Sequence, residues 1–579
     1  MKVIKYRLIF VQVVFLITIS FFIGRLAYMQ IYKHHFYQTK AEMQLQKIIL
    51  LTPKRGIIYD RNGTPLAMTA PAYSVYAIPP QIKNKRLFSQ QIAPIVRRPW
   101  TSIYRDINVQ SPFVWIKRKA DVPAQQKLAA LKLDGLNFIK EEKRVYPRAG
   151  IASHVLGFVG IDNQGLGGIE YEYDHLLTGS PGKIIVEGDP RGYRIVSGTR
   201  KIDPSYDGGH IFLTIDEYIQ YVTEKHLKEG VQKTGAQSGQ AIVMDPQTGE
   251  ILAMASYPAF DPNHWTKFTS GELRNRCISD LYEPGSVFKV ITVAAAIQER
   301  MFNHDTVLSV PKSIMISKRT IREAHGREPG ETDARTLSEI IEKSLNVGTS
   351  ILSMKLGKEK FQHYIRAFGF GSSTDIELPG EAAGIIRSVK HTTVLDNAMN
   401  SFGQGISTTP LQIAVSVAAV ANGGVYIQPR IVKYTTDYNN LTLQARPLVK
   451  KTIISTKTAN EITEILHKVV EQGTGIVTKI PGYTIAGKTG TAQKTIGSGG
   501  YISGKYIASF VGYFPIDKPR AVILITVDSP STTIWGSTVA APIFKNITTD
   551  LIRYWDMAPL NPSANLTAPK PTDVSRPRD

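Results

Sequence analysis

Residues 8–31 limit what this chain can become before any other segment is considered. Leu8-Ile9-Phe10-Val11-Gln12-Val13-Val14-Phe15-Leu16-Ile17-Thr18-Ile19-Ser20-Phe21-Phe22-Ile23 is apolar almost throughout, and the apolar character resumes after Gly24-Arg25 at Leu26, Ala27, Met29 and Ile31. Roughly twenty apolar residues span a bilayer as a helix, and Arg25 near the far end can snorkel to the interface beside Tyr28 and Tyr32. Residues 1–7 carry Lys2, Lys5 and Arg7. That short basic leader is expected to stay in the cytoplasm, with everything after Tyr32 on the other side. A cleaved signal peptide would need a small-x-small site after the apolar core; none follows, so the segment is read as an uncleaved single-pass anchor.

At 579 residues the chain is too long for one ordinary domain, and its 42% hydrophobic and 20% charged residues are those of a folded globular protein. The net charge of +21 raises nucleic acid as a partner, but Lys and Arg are interspersed with Asp and Glu instead of clustering with aromatics. No nucleic acid is expected; the charge fits an envelope-facing protein near anionic lipid and polymer. The one cysteine, Cys277, excludes an intrachain disulfide and a cysteine-held metal, and it is read as a packed core residue.

Composition shifts divide the chain into a cytoplasmic tail (1–7), an anchor (8–31), an N-terminal domain (32–205), a larger domain (206–557) and a tail (558–579) whose proline and polar residues predict disorder. In the N-terminal domain, Arg55-Gly56-Ile57-Ile58-Tyr59-Asp60-Arg61-Asn62-Gly63 reads as a strand running into a turn, since Asn-Gly favours positive φ. Arg144-Val145-Tyr146-Pro147-Arg148 and Gly165-Leu166-Gly167-Gly168-Ile169-Glu170 follow. Arg55, Asp60, Arg61, Arg144 and Glu170 are candidates for a buried ion network or a substrate site, with structural use favoured because no serine, cysteine or histidine constellation accompanies them. Residues 82–138 read as a polar, helix-rich insertion without a legible role.

In the larger domain, strand patterns at 211–216, 240–245 and 250–255 precede a helix-rich stretch from Tyr257-Pro258 to about Gly423. Strands return at 507–514 and 521–527, and a last helix runs from Ala540 to about Trp555. Strands at both ends with helices between predict one sheet closed by the first and last segments.

Glu283-Pro284-Gly285-Ser286-Val287-Phe288-Lys289 leads into the apolar run 290–297. The Pro-Gly breaker puts Ser286 at the first turn of a buried helix, and a lysine three residues on shares its face, as a base beside a nucleophile must. Ser344-Leu345-Asn346 offers a hydroxyl and an amide two positions apart in a kink or loop between helices. Lys488-Thr489-Gly490-Thr491 lies on a strand whose period of two sends Lys488 and Gly490 to one face, where glycine leaves room for a close approach to the backbone. Each motif alone is weak, but the ordered set is close to that of the penicillin-recognising serine enzymes.

With these motifs, the chain resembles the class B penicillin-binding proteins, and the N-terminal segments 55–63, 144–147 and 165–182 are similar to that class's pedestal motifs. The resemblance implies an α/β fold: an antiparallel five-stranded sheet flanked by helices, with an all-helical subdomain, an N-terminal mixed α+β pedestal and one transmembrane helix. Asn275-Arg276 upstream of Glu283 is most similar to the septal, division-specific subgroup, the penicillin-binding protein 3 or FtsI type. Elongation-type paralogues usually carry proline where Glu283 stands. The lack of a repeat extension after Met557 resembles the Gram-negative form, implying an inner-membrane protein with a periplasmic catalytic domain.

The resemblance further implies a D,D-transpeptidase. Ser286 attacks the carbonyl between two terminal D-alanines of a stem peptide, and a second peptide's amine collects the acyl group, cross-linking glycan strands. Lys289 is then the base, with Lys488 a second cation that favours its neutral form. Ser344 relays a proton to the leaving group, and Asn346 holds the substrate amide or Lys289. Thr489 and Thr491, with Gly490 between them, bind the substrate carboxylate, and the backbone amides of Ser286 and Thr491 form the oxyanion hole. Neither metal nor cofactor is implied. Implied partners are stem peptides on glycan derived from lipid II, β-lactams as inhibitors, a membrane glycan polymerase of the FtsW kind and other division proteins. Val287-Phe288 departs from the Thr-Val common in the septal subgroup. The alternatives are an elongation-type transpeptidase and a membrane-bound β-lactamase or β-lactam sensor; the latter needs a glutamate-activated water that the sequence does not identify.

Overall fold

The structure is a computed structural model that describes residues 2–187, 200–324, 326, 331–443, 447–495 and 500–560. Most of the tail expected to be disordered, 561–579, lies outside the described residues. Two compact units are formed, Met1–Lys54 with Gly179–Gly208, and Arg55–Thr178 with Gly209–Asp579.

In the first unit, the helix Lys2–Ala27 continues through one π-helical turn, Tyr28–Tyr32, as a single rod long and apolar enough to cross a membrane. Arg25 lies 5.8 Å from the Tyr28 ring centre, and Tyr28 stacks on Tyr32 at 5.4 Å. After the helix His34–Leu45, the strands Gln46–Leu51, Gly182–Glu187 and Arg200–Asp203 form an antiparallel sheet in that order.

The second unit is built on a five-stranded and a seven-stranded sheet, with small two-stranded pairs beside them. The five-stranded sheet is antiparallel, in the order Ile251–Tyr257, Ser238–Met244, Ala521–Asp528, Tyr501–Phe514, Ala486–Thr495. The strands Ser238–Met244 and Ala521–Asp528, from opposite ends of the domain, pair at its centre as expected. The first expected strand, 211–216, is not part of this sheet: His210–Leu213 pairs with Ile58–Tyr59 and Val432–Thr436 in the other one. Side chains alternate between two cores: Ile242, Val511, Tyr513 and Leu524 pack on one face, Val243, Phe510, Ile523 and Ile525 on the other. Helices Glu217–Thr234 and Gly536–Tyr554 cover the second face, while Lys289–Gln298, Pro410–Ala421 and Thr456–Glu471 join the first core. Such burial on both faces explains why the strands read as continuous apolar runs.

One further sequence expectation needs correction. The stretch expected to be largely helical from Tyr257 to Gly423 also holds two antiparallel strand pairs, Val307–Ser309 with Ala334–Thr336 and Ser313–Ile316 with Arg319–Arg322. Their three- and four-residue strands are too short to stand out by alternation. The insertion 82–138, helix-rich as expected, is a folded lobe: the helices Lys85–Val96, Trp100–Ile107 and Val122–Ala130 bury Phe88, Ile92, Ile103, Ile107 and Leu128 against Val75 and Ile116 of the strands Pro65–Ala77 and Val114–Ala120.

Candidate active site

Tyr282 begins the approach to Ser286 by pairing across a bridge with Thr408. Gly285 then takes φ +59, a left-handed conformation that glycine adopts without a Cβ clash, and a Cβ there would stand 3.0 Å from the Thr491 carbonyl. Gly285–Phe288 form a single 3-10 turn that flows into the helix Lys289–Gln298. The apolar side chains of that helix are buried, while Ser286 keeps partial access to solvent. Sequence and structure agree on a serine at the first turn of a core helix.

Lys289 is fully buried, and its ammonium donates to the Ser344 carbonyl at 2.6 Å, to Asn346 Oδ1 at 2.8 Å and to Ser344 Oγ at 3.3 Å. None of its described hydrogen bonds goes to Ser286; catalytic contacts of this kind often tighten only when substrate arrives. The carbonyl can point this way because Ser344 sits at φ +56 between the helices Leu337–Glu342 and Asn346–Leu356. A left-handed serine is uncommon and costs about 1–2 kcal/mol, a strain that the surrounding bonds must hold.

Lys488 is also fully buried, on the edge strand Ala486–Thr495, with Nζ 3.3 Å from the Thr489 carbonyl. Burial pushes its pKa down to about 7. Lys289 is held well below the usual lysine range, first by burial and next by the Lys488 cation, with Glu323 acting the other way. Burial together with a second buried cation favours neutral Lys289, the form able to accept a proton. On the same strand, Gly490 stands where a Cβ would meet Ser509 Oγ at 2.3 Å and Val287 Cγ1 at 2.9 Å. The close approach that its missing side chain permits is that of the nucleophile's own turn.

Ser286, Ser344, Thr489, Gly490 and Thr491 line one cavity of about 420 Å³, joined by Gln404, Thr474, Tyr506 and Trp535. Thr474 Oγ1 lies 2.9 Å from Thr489 Oγ1, and Thr491 Oγ1 accepts the backbone N–H of Gly536 at 3.1 Å. The sequence reading did not single out Gln404, Thr474, Tyr506 or Trp535. Gly403-Gln404-Gly405 and Gly473-Thr474-Gly475, polar residues flanked by glycines, were the available signal. A larger cleft of about 610 Å³ between Arg148, Tyr221 and Tyr257 gathers none of the three motifs. Cys277 is buried and its thiol pushed up to about 12 by burial, which leaves it inert.

The pedestal candidates separate into two groups. Arg55 Nε and Arg144 Nε clasp opposite oxygens of the buried Glu170 at 2.7 and 2.6 Å, and Tyr146 donates to it at 3.2 Å. Asp60 instead accepts the N–H groups of Asn62 and Thr64 at 2.8 and 2.7 Å, closing the turn, while Arg61 reaches Glu250 at 3.2 Å, which Arg430 also meets at 2.7 Å. None of the five lines the cavity of Ser286.

A serine at a helix start, two buried lysines, a Ser-x-Asn turn and an edge strand open to an extended peptide define a serine acyltransferase of the penicillin-recognising class. Residues 239–549 match the penicillin binding protein transpeptidase domain, and residues 50–213 match the penicillin-binding protein dimerisation domain. The chain belongs to the penicillin-binding protein transpeptidase family, in its class B form. Stage V sporulation protein D of Bacillus subtilis is 35% identical over 559 residues, 94% of this chain and 85% of that protein. Peptidoglycan D,D-transpeptidase FtsI of Escherichia coli is 29% identical over 557 residues, covering 94% of this chain and 91% of that one. The crystal structure of penicillin binding protein 3 from Mycobacterium tuberculosis, complexed with aztreonam, superposes with a TM-score of 0.70 at 29% identity, over 90% of this chain and 100% of that one.

Proposed function

We propose that the chain is a septal peptidoglycan D,D-transpeptidase acting through an acyl-enzyme on Ser286. The observation that carries the reading is the meeting of Ser286, Ser344 and Thr489-Gly490-Thr491 in one cavity, with Lys289 bonded to the second motif behind it. Ser286 Oγ attacks the carbonyl of the penultimate D-alanine and gives its proton to neutral Lys289. The terminal D-alanine leaves as an amine, protonated through Ser344, and the ester stays on Ser286. The amine of a second stem peptide then attacks the ester, forming an amide and returning a proton to Ser286. Thr489 and Thr491 bind the donor's terminal carboxylate near Lys488, and the backbone amides of Ser286 and Thr491 receive the oxyanion.

The anchor is read as crossing the inner membrane with residues 1–7 in the cytoplasm, the pedestal (32–205) and catalytic domain (206–557) in the periplasm, and a glycan polymerase of the FtsW kind beside it. Incubation with a D-Ala-D-Ala donor and an amine acceptor tests the chemistry: cross-linked product with release of D-alanine supports it, and rapid hydrolysis of donor and of penicillin contradicts it. Depletion tests the role, filaments supporting division and round cells elongation. The 35% identical relative is named for a sporulation stage, which favours a sporulation enzyme as second reading; normal division with arrested sporulation on depletion would select it. Replacing residues 8–31 by an unrelated membrane helix is expected to abolish co-purification of the polymerase.

A further inference from the structure

Glu323, outside all three motifs, braces the Ser344 turn. It directly follows the strand Arg319–Arg322, and its carboxylate accepts the backbone N–H of Asn346 on one oxygen and that of Val347 on the other, the latter at 3.0 Å. These amides open the helix Asn346–Leu356, whose N-cap is Leu345, a side chain without an acceptor. Unpaired amides at a helix start need an outside partner, and a carboxylate is the partner favoured by the helix dipole. One residue earlier, the Arg322 carbonyl accepts Asn346 Nδ2 at 3.2 Å. With its amide nitrogen held there, Asn346 turns Oδ1 to the Lys289 ammonium.

We propose that Glu323 is a positioning residue for acyl transfer: it fixes the Ser344-Leu345-Asn346 turn and, through Asn346, the place of Lys289 behind Ser286. The proposal rests on the reading of Ser286 as nucleophile and Lys289 as its base. Glu323 also acts by charge. Around Lys289 stand the neutral Ser344 and Asn346, the Lys488 cation on the edge strand and the Glu323 carboxylate beside the helix start; burial and Lys488 drive the proton off Lys289, and Glu323 holds it on. The segment therefore shapes the site and sets the pH at which its base becomes available. A carboxylate that acts by charge on the base invites a second role, activation of water for hydrolysis. Both oxygens of Glu323 take backbone amides, which favours bracing.

The test is the rate of acylation by a fluorescent penicillin, per titrated site, across the pH range, in the full-length protein. Glu323→Gln loses the charge and one of two acceptors, so the rising limb moves to lower pH while the plateau falls roughly fivefold or more. Glu323→Asp keeps the charge but is a methylene too short for both amides, so its plateau falls while the limb stays. An unmoved limb in Glu323→Gln, or a wild-type plateau in Glu323→Asp, overturns the proposal. Normal acylation with a much longer-lived acyl-enzyme in Glu323→Gln overturns it in favour of water activation. Melting curves report folding; if Glu323→Gln does not fold, the plateau and limb of Glu323→Asp decide. Labelling that survives in Ser286→Ala instead refutes the nucleophile assignment on which the proposal rests.

Discussion

Lys289 donates to Asn346 Oδ1 over 2.8 Å, so the first and second motifs, more than fifty positions apart along the chain, form one hydrogen-bonded unit. Its ammonium is buried, and Lys488 is the cation that opposes its charge. A lysine serves as a base only when neutral, so the pair governs the pH dependence of acylation. Acylation is expected to rise with pH as Lys289, held well below the usual lysine range by burial and by the Lys488 cation, gives up its proton. In Lys488→Gln the opposing cation is gone, the pKa of Lys289 rises, and the limb moves to higher pH with a lower rate at neutrality. Stopped-flow penicillin acylation against pH measures the limb; an unmoved limb removes Lys488 from the tuning of the base.

Ser344 occupies a left-handed conformation that glycine adopts without strain. Ser344→Gly is expected to gain about 1 kcal/mol of stability while losing acylation rate, because the hydroxyl beside Lys289 is gone. Thermal unfolding read alongside acylation checks both directions; a destabilised variant would show that the surrounding bonds do not tolerate glycine there.

Gly490→Ala would drive a methyl against Ser509 Oγ and Val287. Overpacking of this kind costs about 1–3 kcal/mol and pushes the edge strand away from the nucleophile's turn. Acylation is expected to fall more than stability does, measured by penicillin labelling and urea unfolding of the same preparation.

Glu170 answers two buried guanidiniums, Arg55 and Arg144. Glu170→Ala strands both and is expected to destabilise the second unit by about 3–5 kcal/mol. No residue of this network lines the catalytic cavity, so protein that remains folded at low temperature should still be acylated. Calorimetry with labelling tests the separation.

Much of this was legible in the sequence because chemistry fixes spacing. The breaker before Ser286 marked the start of a core helix that carries Lys289, and the strand period put Lys488 on a strand, as the structure has them. Apolar runs at both ends of the domain pointed to a sheet built from both, and the resemblance supplied its five strands. Three things stayed hidden for physical reasons. Glu323 braces a helix start some twenty positions away through backbone amides, which leave no mark on residue type. Thr474 meets Thr489 only through the fold. The pedestal's acids and bases are equally plausible partners on paper, and only tertiary packing gives Glu170 to Arg55 and Arg144 and leaves Arg61 to Glu250.

The most direct measurement is peptide mapping by mass spectrometry after labelling with penicillin. The account predicts a single acylated peptide containing Ser286, absent in Ser286→Ala and slow to form in Lys289→Met by a factor on the order of 10²–10⁴. A label on any other residue, or one that persists without Ser286, would contradict it.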